Sequence, residues 1–339
     1  MRVIFVRGPW YLVLLGVLLG GCFEAQPTGE CSPPSDVPAT TLASFPVPLL
    51  GSAASPPVGG KIYLVGGCAG TPKGVNWDFY SSVWAYDVAT NEVKDLGPVL
   101  PYALGAVRRN GIAVGKNGKL YIPPAQGPHF DEGYGFRQCM IEIDPATGRA
   151  AERACFPTVR WAPRLVADRD GLIWIFAGWT DYVGAPENYE RAVNEIWSYD
   201  PATDRLTKAS ADCGGAQNGM AGDVILESVL GPDGLIYHFD SKNVASFNPA
   251  DGRFTILGPH RIPGVERAWV GHDGLVHGFV SQYLSSFTMQ PGTGKVTEAP
   301  LARQATKRQD VALSVDPATG HLYLIGGEAG TIERFDCLP

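Results

Sequence analysis

Ile196-Trp-Ser-Tyr-Asp-Pro-Ala-Thr-Asp-Arg-Leu206 is the stretch that decides the fold. An aromatic-rich strand runs into Asp-Pro-Ala-Thr, turns, and leaves as a second strand. The turn residues explain why. An Asp carboxylate accepts from backbone amides two residues on, Pro fixes φ for a type I turn, and Asp, Asn or Gly tolerates the left-handed position before the next strand. Related hairpins occur at Val83-Trp-Ala-Tyr-Asp-Val-Ala-Thr-Asn-Glu-Val93 and Met140-Ile-Glu-Ile-Asp-Pro-Ala-Thr-Gly-Arg149. Two more follow at Ala245-Ser-Phe-Asn-Pro-Ala-Asp-Gly-Arg-Phe254 and Ser286-Phe-Thr-Met-Gln-Pro-Gly-Thr-Gly-Lys-Val296. One supersecondary unit used repeatedly makes this a repeat protein.

Working outward, each hairpin is preceded by a Gly and an apolar strand. The series begins Gly60-Lys-Ile-Tyr-Leu-Val65, Gly118-Lys-Leu-Tyr-Ile122 and Gly171-Leu-Ile-Trp-Ile-Phe176. It continues with Gly234-Leu-Ile-Tyr-His-Phe239, Gly274-Leu-Val-His-Gly-Phe279 and Gly320-His-Leu-Tyr-Leu-Ile325. Another apolar segment lies before each Gly, as in Arg164-Leu-Val-Ala-Asp168 and Ala312-Leu-Ser-Val-Asp316. Each unit therefore holds four strands, and six such units predict an all-β, six-bladed propeller. The last unit stops after its third strand, Thr331-Ile-Glu-Arg-Phe-Asp336. Its fourth is expected from Thr41-Leu-Ala-Ser-Phe-Pro-Val-Pro-Leu-Leu50, which resembles the exits Lys94-Asp-Leu-Gly-Pro-Val-Leu-Pro101 and Thr255-Ile-Leu-Gly-Pro259. An N-terminal strand completing the last blade closes the ring and leaves no open edge.

Leu64-Val-Gly-Gly67, Trp84-x-Tyr-Asp87 and Leu324-Ile-Gly-Gly327 resemble kelch repeats, in which a di-glycine ends the second strand and an aromatic-aspartate pair closes the third. The resemblance spans most of 40–339. Blade three carries Ala177-Gly178 in place of the di-glycine, and blades two, four and five lack it. The resemblance implies a propeller of kelch-like four-stranded blades. It implies little about activity, because kelch propellers serve as binding modules, as sialic-acid mutarotases and as copper oxidases.

The first segment is separate from the fold. Arg2 and Arg7 precede or flank the apolar stretch Trp10 to Gly20, which is short for a membrane span and is followed by Leu19-Gly-Gly-Cys22. That ending resembles the lipobox of bacterial lipoproteins. Residues 1–21 are read as a lipoprotein signal, Cys22 as the lipidated residue, 22–39 as a Pro-, Ser- and Thr-rich tether, and 40–339 as the propeller domain. Phe23 is not the Asp associated with inner-membrane retention, so the outer membrane of a double-membrane cell envelope is expected.

The net charge of -7 and the absence of a basic run argue against a nucleic-acid surface. Six further cysteines in an exported chain point to disulfides. Cys139 and Cys155 flank the Asp144–Arg149 turn at almost mirror distance and predict a cross-strand bridge. Cys31 and Cys337 lie near the two ends and could clip them together, and Cys68 and Cys213 remain as a pair by elimination. No metal site and no cofactor is expected, since no Cys-x-x-Cys or spaced His pair is present. No catalytic elbow, zinc motif or phosphate loop occurs either.

Two regions could hold a ligand. Blades one to three carry long loops after their second strands, Cys68 to Ser82, Ala125 to Gln138 and Gly178 to Val193, whereas blades four to six carry a few residues. The long loops hold Trp77, Tyr80, His129, Trp179 and Tyr182 beside carboxylates and amides, a composition suited to sugar or peptide recognition. The same aromatics could instead pack on one another to order the loops. The second region is the axial channel. Registering the first strands on their Gly turns makes Arg164, Glu227 and Arg267 equivalent, with Arg109 and Asp310 two residues earlier in their blades and Arg160 and Arg308 just before their strands. These charges could converge at the channel mouth to hold a carboxylate or phosphate, or could simply line a hydrated channel. The expected function is a monomeric, membrane-anchored binding or scaffold module for an envelope protein, peptide or glycan. A sugar epimerase or lyase working at the channel mouth is the alternative.

Overall fold

The computed structural model describes residues 40–69, 78–105, 111–130, 133–136, 138–160, 163–181, 190–213, 227–240, 242–262, 265–280, 285–300, 311–327 and 330–335. Among them are strands and turns and no helix. Six four-stranded antiparallel sheets form the blades of the expected propeller. Blade one comprises Ala53–Ala54, Lys61–Val65, Val83–Asp87 and Glu92–Asp95. Blade two comprises Ala113–Val114, Leu120–Ile122, Cys139–Asp144 and Arg149–Cys155. Blade three runs through Arg164–Ala167, Ile173–Phe176, Glu195–Asp200 and Arg205–Asp212. Blade four is Glu227–Leu230, Ile236–Phe239, Asn243–Asn248 and Arg253–Pro259. Blade five is Arg267–Val270, Val276–Val280, Ser285–Gln290 and Lys295–Pro300.

Blade six is built from Val311–Asp316, His321–Gly326 and Thr331–Phe335, and its outermost strand is Thr40–Ser44. Thr40 pairs with Arg334, Thr41 with Glu333 and Ser44 with Thr331. The Phe45 amide then donates to the Gly330 carbonyl at 2.7 Å, and Leu49 bridges Gly327. The closure expected from the sequence is therefore made. The first strands lie beside one another from blade two through blade six and on to blade one, so they surround the axis.

The core is distributed between blades. Six clusters of buried residues each join one blade to the next. At the closing junction, for example, Ile62, Leu64 and Tyr86 of blade one meet Tyr323, Ile325 and Ile332 of blade six. Both faces of each second strand are buried, which explains the near-continuous apolar runs after each Gly.

A repeated device fixes the turn between first and second strands. Gly115, Gly231 and Gly271 each lie under a ring two residues into the next strand; a Cβ there would stand 2.7 Å from Tyr121, 2.5 Å from Tyr237 and 2.5 Å from His277. The turn residue Asn117, Asp233 or Asp273 then binds the polar end of the same ring, at 2.8, 2.5 and 2.9 Å. In blade three, Asp168 replaces the glycine and itself accepts from Trp174 Nε1 at 2.7 Å. In blade five, Gly278 has no room for a side chain because the Phe287 ring of the neighbouring strand covers it.

Cys139 and Cys155 are opposed across blade two's third and fourth strands and form a disulfide, with Cα atoms 3.8 Å apart. The Cys68–Cys213 pairing is not made. Both are buried free thiols, on blades one and three, with Cys68 Sγ directed at the Leu50 carbonyl (3.6 Å) and Cys213 packed in the core between blades three and four. Burial pushes their thiols up, to about 11 and about 12, which leaves them protonated and unreactive at neutral pH. Cys22, Cys31 and Cys337 lie outside the described residues, as do the signal and tether.

Candidate functional site

The second strand of a blade ends where its first strand begins, and the long loops grow from that end. Each long loop carries a two-stranded ribbon of its own. In blade one Cys68–Ala69 pairs with Asp78–Phe79; in blade two Gln126–Phe130 pairs with Gly133–Phe136; in blade three Trp179–Asp181 pairs with Glu190–Ala192. Blade four instead closes its corresponding turn at Asp240 to Asn243, with the Asn243 carbonyl accepting from the Asp240 amide at 3.1 Å. Three adjacent ribbons therefore stand on one half of one face.

The channel residues on that face begin with Arg164, Glu227 and Arg267, the first residues of their strands. They pair with Phe176, Phe239 and Phe279 respectively, so the register inferred from the Gly turns is the one observed. Arg164 and Glu227 are 8% and 7% exposed. Burial pushes the Glu227 carboxyl up, while the charges of Arg164 and Arg267 and the Ser228 amide oppose the shift. The next pair along blade four is Ser228 and His238, joined through Oγ and Nδ1 at 2.8 Å. His238 is enclosed by Phe176 and Phe254, and desolvation holds it down to about 3, so it stays neutral.

Arg160 does not join the channel group. It is 1% exposed, donates to the Ala177 carbonyl at 3.1 Å, pairs with Glu195 and stacks over Phe156. Its partners end blade three's second strand and begin its third, so it braces the stem of the ribbon. Tyr80 is likewise a brace: its hydroxyl donates to the Pro48 carbonyl at 3.3 Å, and its backbone bonds Gly67 and Leu104. His129 pairs with Tyr134 and Trp179 with Ala192 within their ribbons. Arg109, Arg308, Asp310, Trp77 and Tyr182 lie outside the described residues.

Two polar groups escaped the reading of the sequence. Glu142, in the middle of blade two's third strand, accepts from Lys119 and Arg153 (2.7 Å each) and from the Tyr121 hydroxyl at 2.8 Å. Glu195 binds Arg160, Lys208 (2.6 Å) and Trp197 Nε1 (3.1 Å). Neither has a motif, because all its partners but Trp197 lie at least 11 residues away in the sequence. Among the described residues, no cluster of His, Cys, Asp or Glu could hold a metal ion.

Residues 51–99 match the family model of the Kelch motif. The match covers blade one together with its ribbon, and the blade it describes is the one that repeats around the ring. Blade one matches the Kelch motif, and the molecule is a propeller of six four-stranded blades. No curated protein matches the sequence. Propellers built of kelch blades are commonly protein-binding scaffolds, and the face with unequal loops is where the blades of this propeller differ from one another.

Proposed function

We propose that this propeller is a lipid-anchored binding module of the bacterial cell envelope that presents its ribbon-bearing face to a protein or peptide. The observation carrying this reading is the placement of the ribbons. Three consecutive blades each extend a two-stranded ribbon from the same face, and blade four on the opposite half keeps a tight turn. A half-wall of ribbons on one face would make that face one-sided, which suits a partner approaching from the low side. Loops of this length in a compact domain are costly to order and are retained where they bind. A lipid anchor at Cys22, joined to the ring by the Pro-, Ser- and Thr-rich residues 22–39, would hold the propeller close to the membrane. The acidic charge favours a protein, peptide or glycan over nucleic acid.

The test is affinity capture from solubilised envelopes with the full-length protein, run beside a glycan array. A variant in which short turns replace the ribbons Gln126–Phe136 and Trp179–Ala192 serves as the comparison. The blade-one ribbon is kept because Cys68 bridges Leu50 in the ring closure. A specific protein captured by wild type and lost in the folded variant supports the reading. Capture that survives the replacement, or binding confined to glycans, contradicts it.

A further inference from the structure

The ribbon of blade two returns to its blade through Gln138 and Cys139, the residue that opens the third strand. Cys139 stands opposite Cys155, the last residue of the fourth strand, and the two are joined as a disulfide. The ladder next to them is interrupted. The register shifts between Cys139 and Ile141, and regular pairing resumes only at Ile141 and Glu152. On the ribbon side of the interruption the strands are held by the disulfide and by the Phe156 amide, which donates to the Gln138 carbonyl at 2.9 Å.

The two ends of this bond are held differently. The Ala154 amide donates to Asp204 Oδ1 of blade three at 2.8 Å, and Phe156 is buried against Trp197 and under the Arg160 guanidinium. The end of the fourth strand is thereby fixed to blade three. Cys139 leads instead into the ribbon, whose strands pair with each other in a sheet of their own. The disulfide therefore cross-links the foot of the ribbon to a fixed point on the ring. It is also reachable: Cys155 is exposed and Cys139 half-buried, whereas the thiols of Cys68 and Cys213 are buried. Exchange at a disulfide depends on the access of an attacking thiolate to one of its sulfurs.

We propose that Cys139–Cys155 is a thiol–disulfide exchange site for a protein dithiol, and that opening it frees the ribbon of blade two while the blades stay folded. A thiolate of the dithiol attacks the exposed Cys155 sulfur, forms a mixed disulfide and releases Cys139 as a thiolate, which takes up a proton. The second thiolate of the dithiol then attacks its own partner sulfur in the mixed disulfide, and Cys155 leaves. The protein disulfide is reduced and the dithiol is oxidised to a disulfide in its place. The site deepens the reading of the ribbons as a binding wall, and rests on that reading only for its effect on a partner.

The test is hydrogen exchange of the full-length protein through a dithiothreitol series, with thiol alkylation and peptide mapping at each step. Cys139 and Cys155 should become alkylated while Cys68 and Cys213 stay protected. Amide exchange across Gln126–Phe136 should then rise about tenfold or more, with the strands of blades four and five unchanged. A Cys139→Ser, Cys155→Ser variant should exchange in that ribbon as the reduced protein does and show no further response to dithiothreitol, which excludes an effect through other cysteines. Alkylation of Cys139 and Cys155 only together with Cys68 and Cys213 would mean that the bond opens by unfolding, and overturns the proposal. Ribbon exchange that stays the same once both cysteines are alkylated overturns it as well. Partner capture measured on the same samples keeps the two readings apart. A loosened ribbon with capture intact leaves the exchange site standing and counts against binding by the ribbons.

Discussion

A carboxylate in the middle of a strand stabilises a fold only when its lone pairs are filled, and Glu142 has Arg153, Lys119 and Tyr121 as donors. Desolvation alone would raise its carboxyl, but these hydrogen bonds outweigh burial and hold it at about 2. The folded value is depressed below the ordinary carboxylate value, so the stabilisation is present above about pH 4.5 and is lost as pH falls toward 2. Glu142→Gln should lower stability at neutral pH by an amount on the order of 3 kcal/mol. In thermal unfolding across pH, the gap between wild type and variant should shrink from pH 5 downward, to a small remainder near about pH 2. A gap that stays constant with pH would show that the charge is not what Glu142 contributes. Nothing in Met140-Ile-Glu-Ile-Asp144 announces this role, since the alternation marks only that Glu142 lies on the opposite side from Ile141 and Ile143. Its donors come from a turn 23 residues upstream and a strand 11 residues downstream.

At the scale of the element, the hairpin that identified the fold proves to join blades as well as to end them. Asn91 and Asp204 occupy the left-handed turn position, with φ of 58° and 52°. Asn91 Oδ1 accepts from the Tyr86 hydroxyl (3.1 Å) and from the Ala43 amide of the closing strand (2.9 Å). Asp204 Oδ1 accepts from the Tyr199 hydroxyl (3.0 Å) and from the Ala154 amide of blade two (2.8 Å). Where the tyrosine position holds Ile143, Phe247 or Met289, the turn position holds Gly148, Gly252 or Gly294. A polar side chain is thus retained at an unfavourable φ where it has two donors to satisfy, and glycine takes the position elsewhere. Asn91→Gly relieves the backbone and removes both bonds, with an expected net loss of about 1 kcal/mol, whereas Asn91→Asp keeps the acceptor and should be near neutral. Denaturant unfolding of the two variants decides it; equal stability of Asn91→Gly and wild type would remove the latch from the account. This pairing was legible in the sequence in principle, because the tyrosine and the turn residue vary together. Its partner on the next blade was not, because a backbone amide leaves no mark in a sequence.

For the whole molecule, the count of blades, the order of strands and the closing strand all followed from turn chemistry, since each Gly turn demands a positive φ and each apolar run fills a gap between blades. The first-strand register at Arg164, Glu227 and Arg267 followed from the same turns. The ribbons were visible only as length: Gln126-Gly-Pro-His-Phe130 and Trp179-Thr-Asp181 have no alternation to mark them as strands, because ribbons that short need not present one apolar side to a core. The thiols were misassigned by elimination, which counts cysteines without asking whether their strands meet. What distinguishes this ring from six equal blades is therefore its uneven face, and the central claim is that binding happens there. Hydroxyl-radical footprinting of the full-length protein with its captured partner measures this directly. Protection is expected on the ribbons, Cys68–Phe79, Gln126–Phe136 and Trp179–Ala192, and at the channel mouth beside them. Protection confined to the outer hairpin turns, Asp87–Glu92, Asp144–Arg149 and Asp200–Arg205, would contradict the account.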